Sequence, residues 1–128
     1  MKKDSSVKEK VASAYSVMKS EFGYTNKLQA PKLTKVSISI GTGMMMKKDP
    51  KKNDFVMDRL AKITGQKGSL RPAKKSVASF KIRQGDPIGV LVTLRGENMY
   101  AFLDKFFNIA IPRTKDFRGV NRTSVDNI

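Results

Sequence analysis

The chain has 128 residues, enough for one domain with its own apolar core, and 26 Lys and Arg against 11 Asp and Glu give a formal net charge of +15. It contains no Cys and no His, which excludes disulfides, thiolate chemistry, most zinc sites and imidazole acid–base catalysis. No apolar run approaches the roughly 18 residues of a membrane span, and the first residues lack the apolar block of a signal peptide. We predict a single soluble domain over residues 1–128 with no metal, cofactor, catalytic residue or membrane partner.

The positive charge is spread along the whole chain and is not gathered in one tail. It exceeds the magnitude of roughly 2 to 8 that suits a small domain, so the chain repels itself unless a polyanion is present. Nucleic acid is the usual polyanion, because neutralised phosphates release condensed counterions. The composition therefore predicts a nucleic-acid-binding protein; a basic surface that serves only solubility is the alternative.

The first predicted element is an amphipathic helix that begins after Ser5 or Ser6 and stops at Gly23. Its apolar residues recur at spacings of three and four, at Val7, Val11, Ala14, Tyr15, Met18 and Phe22. A strand follows, in which Val36, Ile38 and Ile40 alternate with Lys35, Ser37 and Ser39. Gly41-Thr42-Gly43 then predicts a turn, with a phosphate cradle as the alternative, because the rest of a P-loop is missing.

The second helix is predicted between the start signal Asp49-Pro50 and the stop at Gly65. Its apolar residues are Phe55, Val56, Leu60 and Ile63. Asp54 and Asp58 stand among basic residues, which indicates helix ion pairs and not a catalytic site. Before this helix we predict a basic loop that tucks one or two methionines under the sheet, with a soft partner-binding surface as the alternative; it contains Met44, Met45, Met46, Lys47 and Lys48.

The stretch from Gln66 to Arg83 holds six Lys and Arg, and it predicts a strand that leads into a projecting loop at about residues 75–86. A further strand is predicted where Ile88, Val90, Val92 and Leu94 alternate with Leu91, Thr93 and Arg95. Because Leu91 lies on the polar side, we expect that face to be partly covered.

Glu97 opens a third predicted helix, which ends at Pro112. Its apolar stripe consists of Met99, Phe102, Leu103, Phe106 and Ala110. Tyr100 and Phe107 lie off this stripe, where packing against the first helix and base stacking are the two interpretations. A basic tail over 113–128 follows.

The order helix, strand, helix, strand, loop, strand, helix predicts an α+β domain of two layers, with a mostly antiparallel sheet and helices packed on one face. Polar residues on the strands could then form one RNA-binding face, if the strands are neighbours: Ser37, Ser39, Thr93 and Arg95, with Gln66 and Lys67 beside them. The aromatic pairs of an RNA-recognition motif are missing, so we expect folded RNA to be bound through its backbone and shape.

Two segments, KSVASFKIRQGDPIGVLVTLRG at 75–96 and IPRTKDFRG at 111–119, closely resemble the signature of the ribosomal protein L5 family. Further support comes from EFGY at 21–24 and ITGQK at 63–67. The resemblance implies a structural, non-catalytic constituent of the large subunit's central protuberance, in cytoplasmic or organellar ribosomes. The implied partners are 5S rRNA, large-subunit rRNA, peptidyl-site tRNA, a small-subunit head protein and other central-protuberance proteins.

The resemblance also implies three sets of site residues. The sheet face that grips 5S rRNA would consist of Ser39, Gln66, Lys67, Thr93 and Arg95. The loop that approaches peptidyl-site tRNA would use Lys75, Ser76, Ser79, Lys81 and Arg83. The bridge to the small subunit would use Arg113, Asp116, Phe117 and Arg118.

The chain departs from the family pattern in two respects. Ser39 stands where the family usually has Asn, and the family's proteins continue past the point where this chain stops, so we expect the C-terminal part to be missing. Two other functions are compatible with the same basic surface, a free-standing RNA-binding or RNA-chaperone module and an RNA-processing enzyme. The enzyme would have to work without His, Cys or clustered carboxylates.

Overall fold

A computed structural model describes residues 6–43, 49 and 51–124 of the chain. The predictions made for Ser5, Met44–Met46, Lys47, Lys48, Pro50 and the last residues of the basic tail lie outside these ranges. The helices and strands follow the predicted order: α1 (Val7–Phe22), β1 (Val36–Gly41), α2 (Lys52–Thr64), β2 (Ser69–Pro72), β3 (Pro87–Leu94) and α3 (Gly96–Lys105).

Within the described ranges, the three strands form one antiparallel sheet in the order β1-β3-β2. Val36 pairs with Leu94 and Gly41 with Gly89, so β1 follows β3 over most of its length. On the other edge of β3, Ser69 pairs with Leu91. The strand with the most regular apolar alternation is therefore the central one, and the α+β prediction is confirmed.

The core lies between one face of this sheet and the helices. It joins Leu60 of α2 and Met99 and Leu103 of α3 to three β3 residues, Val90, Val92 and Leu94. Val36, Ile38 and Ile40 of β1 pack against the same cluster. Because these strand residues alternate along the chain, they all project to one face, and the intervening residues project to the other. The predicted two-layer arrangement, with helices on one face, is confirmed.

Helix α1 begins and ends where the sequence predicts. The Ser6 hydroxyl accepts the Lys8 backbone N–H at 3.3 Å, and Gly23 ends the helix with a left-handed φ of 66°. Asp104 of α3 holds the start of α1, because its two carboxylate oxygens accept the Val7 N–H (2.7 Å) and the Ser6 hydroxyl (3.1 Å). None of the residues within α1 is buried, so polar contacts at its first turn are a main attachment to the domain.

The predicted apolar stripe of α2 is wrong at two of its four positions. Leu60 is 3% exposed, whereas Phe55 is 59% and Ile63 58% exposed. At 100° per residue, Phe55 lies about 140° around the helix from Leu60, too far to share its buried face. Asn53 and Thr64 take the buried positions instead.

The stripe of α3 is confirmed at Met99 and Leu103, which are buried, and at Phe102, which is partly buried. It is wrong at Phe106, which is 43% exposed, and at Ala110, which is also exposed. The reason is a change of helix type: α3 continues through a π-helical turn, Phe106–Ala110, and a last α-helical turn, Ile111–Arg113. The wider turn shifts side chains away from the direction that a 3.6-residue period predicts.

The two aromatic residues off this stripe differ in their environments. Tyr100 packs against the core cluster. Phe107 remains 48% exposed, and its ring lies edge-on to that of Phe106, with 5.6 Å between the ring centroids.

Candidate RNA-binding surface

The sheet face opposite the core is polar and carries the predicted strand residues. Ser37 pairs directly with Thr93, and Ser39 pairs with Leu91, which pairs on its other side with Ser69. These strands are neighbours, as the predicted RNA-binding face requires. We call this surface the open face, defined by Ser37, Ser39, Ser69, Arg71, Leu91, Thr93 and Arg95.

Arg95 extends the open face beyond the end of β3. Its backbone is extended, with φ −139° and ψ 162°, so the strand alternation continues through it and places it on the same side as Thr93. Its side chain is exposed, as are those of Ser37 and Ser39. Hydroxyl groups and the Arg95 guanidinium therefore share a surface on which RNA phosphate and sugar groups could bind.

At its other end the open face has almost no side chains. Gly41 pairs with Gly89, and Gly89 pairs in turn with Arg71 of β2. A Cβ added at Gly89 would lie 3.1 Å from the Ile40 carbonyl oxygen, so the strand backbones approach closely here. Gly41 and Arg71 are exposed at this end, whereas Gly89 between them is buried.

Leu91 is only partly buried, and it is absent from the core cluster. Its position in the central strand, between Ser39 and Ser69, accounts for its partial burial.

Gln66 and Lys67 lie at the edge of the sheet and differ in orientation. The Gln66 amide donates a hydrogen bond to the Thr93 carbonyl oxygen at 3.2 Å, which joins it to the open face. Lys67 instead borders a depression on the helical layer, together with Asp54, Met57, Asp58 and Ala61 of α2. Of the five residues predicted for 5S rRNA, the structure brings together Ser39, Gln66, Thr93 and Arg95 and sets Lys67 apart.

Ser69 and Arg71 belong to the open face but are missing from the predicted site. Both lie on β2, which the sequence marks only as a strand somewhere in a basic stretch. Ser69 and Arg71 alternate with Leu70, so the sequence indicates that the two polar side chains share one face of a strand. Which face of the sheet that is depends on the register of β2 with β3.

The predicted loop over 75–86 is a compact structure that closes on itself. Val77 and Ile82 exchange two backbone hydrogen bonds, of 2.9 and 3.2 Å, around a short 3-10 turn at Ala78–Phe80. The Ser76 hydroxyl accepts the Gln84 N–H at 3.0 Å, so this predicted site residue also shapes the loop. Because the loop has its own hydrogen bonds, it can present side chains in a defined arrangement.

All five of the predicted loop residues are exposed around this turn: Lys75, Ser76, Ser79, Lys81 and Arg83. Lys81 adopts a left-handed φ of 51° at the end of the 3-10 turn. Phe80, which the sequence does not assign to the site, is 62% exposed between Ser79 and Lys81. The loop therefore combines basic, hydroxyl and aromatic groups, which are the groups that bind RNA.

The segment predicted for the intersubunit bridge follows the last helical turn. Arg113, Asp116, Phe117 and Arg118 are all exposed, and Phe117 retains 47% of its accessible surface. Asp116 has a left-handed φ of 59°, a conformation that Asp tolerates better than most residues. The four residues lie close together along the chain, and the structure shows no partner for them among the described residues.

The electrostatics of these surfaces are dominated by cations. Among the described residues the salt bridges are Lys8–Glu97 and Lys62–Asp58, and neither involves the open face or the loop. In the same part of the chain, no group of three or more His, Cys, Asp or Glu could hold a metal ion. No helix there is long and apolar enough to cross a membrane.

Known proteins resemble the chain over most of its length. The family described as ribosomal protein L5 matches residues 26–83, and the model for the C-terminus of the same ribosomal family matches residues 87–128. Large ribosomal subunit protein uL5 of a Thermoanaerobacter species is 55% identical over 105 residues, which is 82% of this chain and 58% of that protein.

Two further relatives extend the same finding. Large ribosomal subunit protein uL5 of Flavobacterium johnsoniae is 52% identical over 111 residues, 87% of this chain and 60% of that protein. The uL5 protein of Prosthecochloris aestuarii is 49% identical over 121 residues, 94% of this chain and 60% of that protein. The chain thus spans 58–60% of the length of these three relatives.

Proposed function

Because the chain belongs to the ribosomal protein L5 family, we propose that it is a structural component of the large ribosomal subunit that binds 5S rRNA through its open face. The observation that carries this proposal is the arrangement of Ser39, Gln66, Thr93 and Arg95 on the side of the sheet opposite the core. The family consists of ribosomal proteins, and the proposed role requires no catalysis. We expect the protein to be located in the ribosome, with large-subunit rRNA and other central-protuberance proteins as neighbours.

We assign different partners to the open face, the loop and the exposed segment after the last helical turn, because these surfaces are separate. The loop over 75–86 leaves the sheet at the ends of β2 and β3, and it carries its own cations away from Arg95. We assign it to peptidyl-site tRNA, through Lys75, Ser76, Ser79, Lys81 and Arg83. The exposed segment with Arg113, Asp116, Phe117 and Arg118 is assigned to a protein of the small-subunit head.

Binding of 5S rRNA to paired variants tests the main assignment. Thr93→Val with Arg95→Ala removes one hydroxyl and one guanidinium while keeping the β-branched shape in the strand. The loss of a charged hydrogen-bonding group, about 1.5–3 kcal/mol, predicts binding weaker by roughly tenfold to a hundredfold. The salt slope should also fall by about one unit for the lost phosphate contact.

Ser79→Ala with Arg83→Ala is the matched control, since it removes the same two chemical groups from the loop. Its 5S rRNA affinity should stay within about twofold of the parent, because the loop is assigned to a different RNA. Equal losses in both variants would contradict the division of partners. If the parent protein binds 5S rRNA no better than an unrelated folded RNA, the main proposal is refuted and a free-standing RNA-binding module is favoured.

A further inference from the structure

One flank of α2 is basic and aromatic, and the proposed function does not use it. We call it the basic flank and define it by Lys51, Lys52, Phe55 and Arg59, all of them exposed. At 100° per residue, Lys52, Phe55 and Arg59 lie within about 60° of one another around the helix. The flank belongs to the helical layer, on the other side of the sheet from the open face.

Phe55 and Arg59 form a preassembled pair on this flank. The guanidinium carbon of Arg59 lies 4.9 Å from the centroid of the Phe55 ring, within the range of a cation–π contact. Phe55 nevertheless keeps 59% of its surface exposed, so much of the ring remains free for another contact. A planar guanidinium beside an exposed ring is suited to stacking on a nucleobase.

A hollow adjoins this pair at the start of α2. Its volume is about 530 Å³, and it is lined by Asp49, Lys51, Lys52, Phe55 and Val56. That volume falls within the roughly 300–1,000 Å³ of sites that hold small molecules, and it is sufficient for one base. The Asp49 carboxylate at its rim accepts the Lys51 backbone N–H at 3.0 Å, so it is engaged in starting the helix.

Acidic and basic side chains lie on different sides of α2. Asp54 and Asp58 lie about 100–160° around the helix from Lys52 and Arg59, and Asp58 pairs there with Lys62 at 2.9 Å. Lys51, Lys52 and Arg59 form no salt bridge with any other described residue. The basic flank therefore presents three cations and an exposed ring to a partner, which is complementary to a phosphate chain with an accessible base.

We propose that the basic flank is a second RNA-binding site, specific for an unpaired nucleotide. The base would stack on Phe55 beside Arg59, and Lys51 and Lys52 would bind the neighbouring phosphates. An acidic protein could satisfy the lysines, but the exposed ring paired with a planar guanidinium favours a base. This site goes beyond the proposed function, because it lies on the other layer of the domain and requires none of the open-face residues.

Binding of the full chain to a short single-stranded adenosine oligonucleotide that carries a fluorescent adenine analogue tests this site. Phe55→Ala should weaken binding about tenfold, because stacking on one aromatic side chain commonly has an effect of this order. It should also abolish the fluorescence quenching that stacking produces. Phe55→Tyr retains the ring and should restore both signals, and Lys51→Ala should lower the salt slope by about 0.7.

Phe22→Ala is the matched control, since Phe22 is 60% exposed and stacks on Tyr24 away from the basic flank. It should leave both signals unchanged. Equal signals from Phe55→Ala and the parent protein would overturn the proposal, as would equal losses in Phe55→Ala and Phe22→Ala. If a glutamate-rich peptide binds in a Phe55-dependent way and the oligonucleotide does not, the flank is a protein-binding surface and the RNA proposal is wrong.

The oligonucleotide result is independent of the 5S rRNA assay. Thr93→Val with Arg95→Ala should preserve the fluorescence quenching, because stacking on Phe55 does not require the two open-face side chains that this variant removes. If the open face does not bind 5S rRNA, the quenching assay can still show whether the basic flank binds an unpaired base.

Discussion

Asp104 provides a quantitative test of how α1 is attached to the domain. Its carboxylate accepts the Val7 N–H at 2.7 Å and the Ser6 hydroxyl at 3.1 Å from a partly buried position. A hydrogen bond to a charged group contributes about 1.5–3 kcal/mol, and a carboxylate near a helix N-terminus adds about 0.3–1 kcal/mol. Since the site is partly solvated, we expect Asp104→Ala to destabilise the docked state of α1 by about 2 kcal/mol, which is less than the sum of two such hydrogen bonds and the helix-terminus contribution.

That loss should be confined largely to α1, because none of its residues is buried. A change of about 2 kcal/mol corresponds to a roughly 30-fold increase in the opening equilibrium. Amide hydrogen exchange resolved by residue should therefore accelerate by about this factor within α1. Amides of β3, which belong to the buried core, should change much less.

One variant at Asp104 and one control elsewhere test the origin of this effect. Asp104→Asn keeps an acceptor for the Val7 N–H and removes the charge, so it should cost about 1 kcal/mol or less. Asp58→Ala removes an exposed carboxylate that pairs with Lys62 and should cost no more than about 0.5 kcal/mol. Unchanged exchange in α1 of Asp104→Ala, or equal acceleration in α1 and β3, would refute this explanation of the attachment.

Three further predictions concern single positions. Gly68→Ala would place a Cβ 2.7 Å from Val90 Cγ1 and 3.2 Å from Val92 Cγ2, so the free energy of unfolding should fall by about 1–3 kcal/mol; an unchanged denaturation midpoint would contradict this. The Thr42 hydroxyl is fully buried with no hydrogen-bond partner among the described residues, so Thr42→Val should be neutral or stabilising by up to about 1 kcal/mol; a clearly lower melting temperature would indicate a bonded hydroxyl. The hydrogen bond to the Glu97 carboxylate, with its charge, raises the pKa of Lys8 above 10.5, so Glu97→Gln should return that pKa towards 10.5 in an NMR titration. Since the folded pKa is the higher one, the contact stabilises the fold below pH 10.5 and its contribution is lost as the pH rises above that value; a pKa that stays raised in Glu97→Gln would assign the shift to another group.

The boundaries of the elements could be predicted because their signals are local. Ser6 and Gly23 bound α1 through a side-chain cap and a left-handed glycine, and Gly65 ends α2 in the same way as Gly23 ends α1. The alternation along β1 and β3 likewise identifies the polar and apolar sides of each strand, because side chains project to opposite faces in turn. Most of the open face follows from that alternation once β1 and β3 are paired.

The errors fall where packing between elements decides the outcome. Phe55 and Ile63 belong to the predicted apolar stripe of α2, but both are more than 40% exposed. Phe106 is exposed for a different reason, since it begins the π-helical turn that departs from the 3.6-residue period. Lys67 lies beside Gln66 in the chain and yet faces the helical layer. A single sequence cannot distinguish these positions, because burial depends on which neighbouring element covers each part of a helix.

For this protein the sequence alone determined the order of the helices and strands, the excess of positive charge and the family, since each of these is a property of local pattern or composition. Only the tertiary structure decided that β3 lies at the centre of the sheet, that Ser69 and Arg71 join the open face, and that Phe55 remains exposed beside Arg59. The physical reason is that strand order, register and helix rotation are set by contacts between residues far apart in the chain.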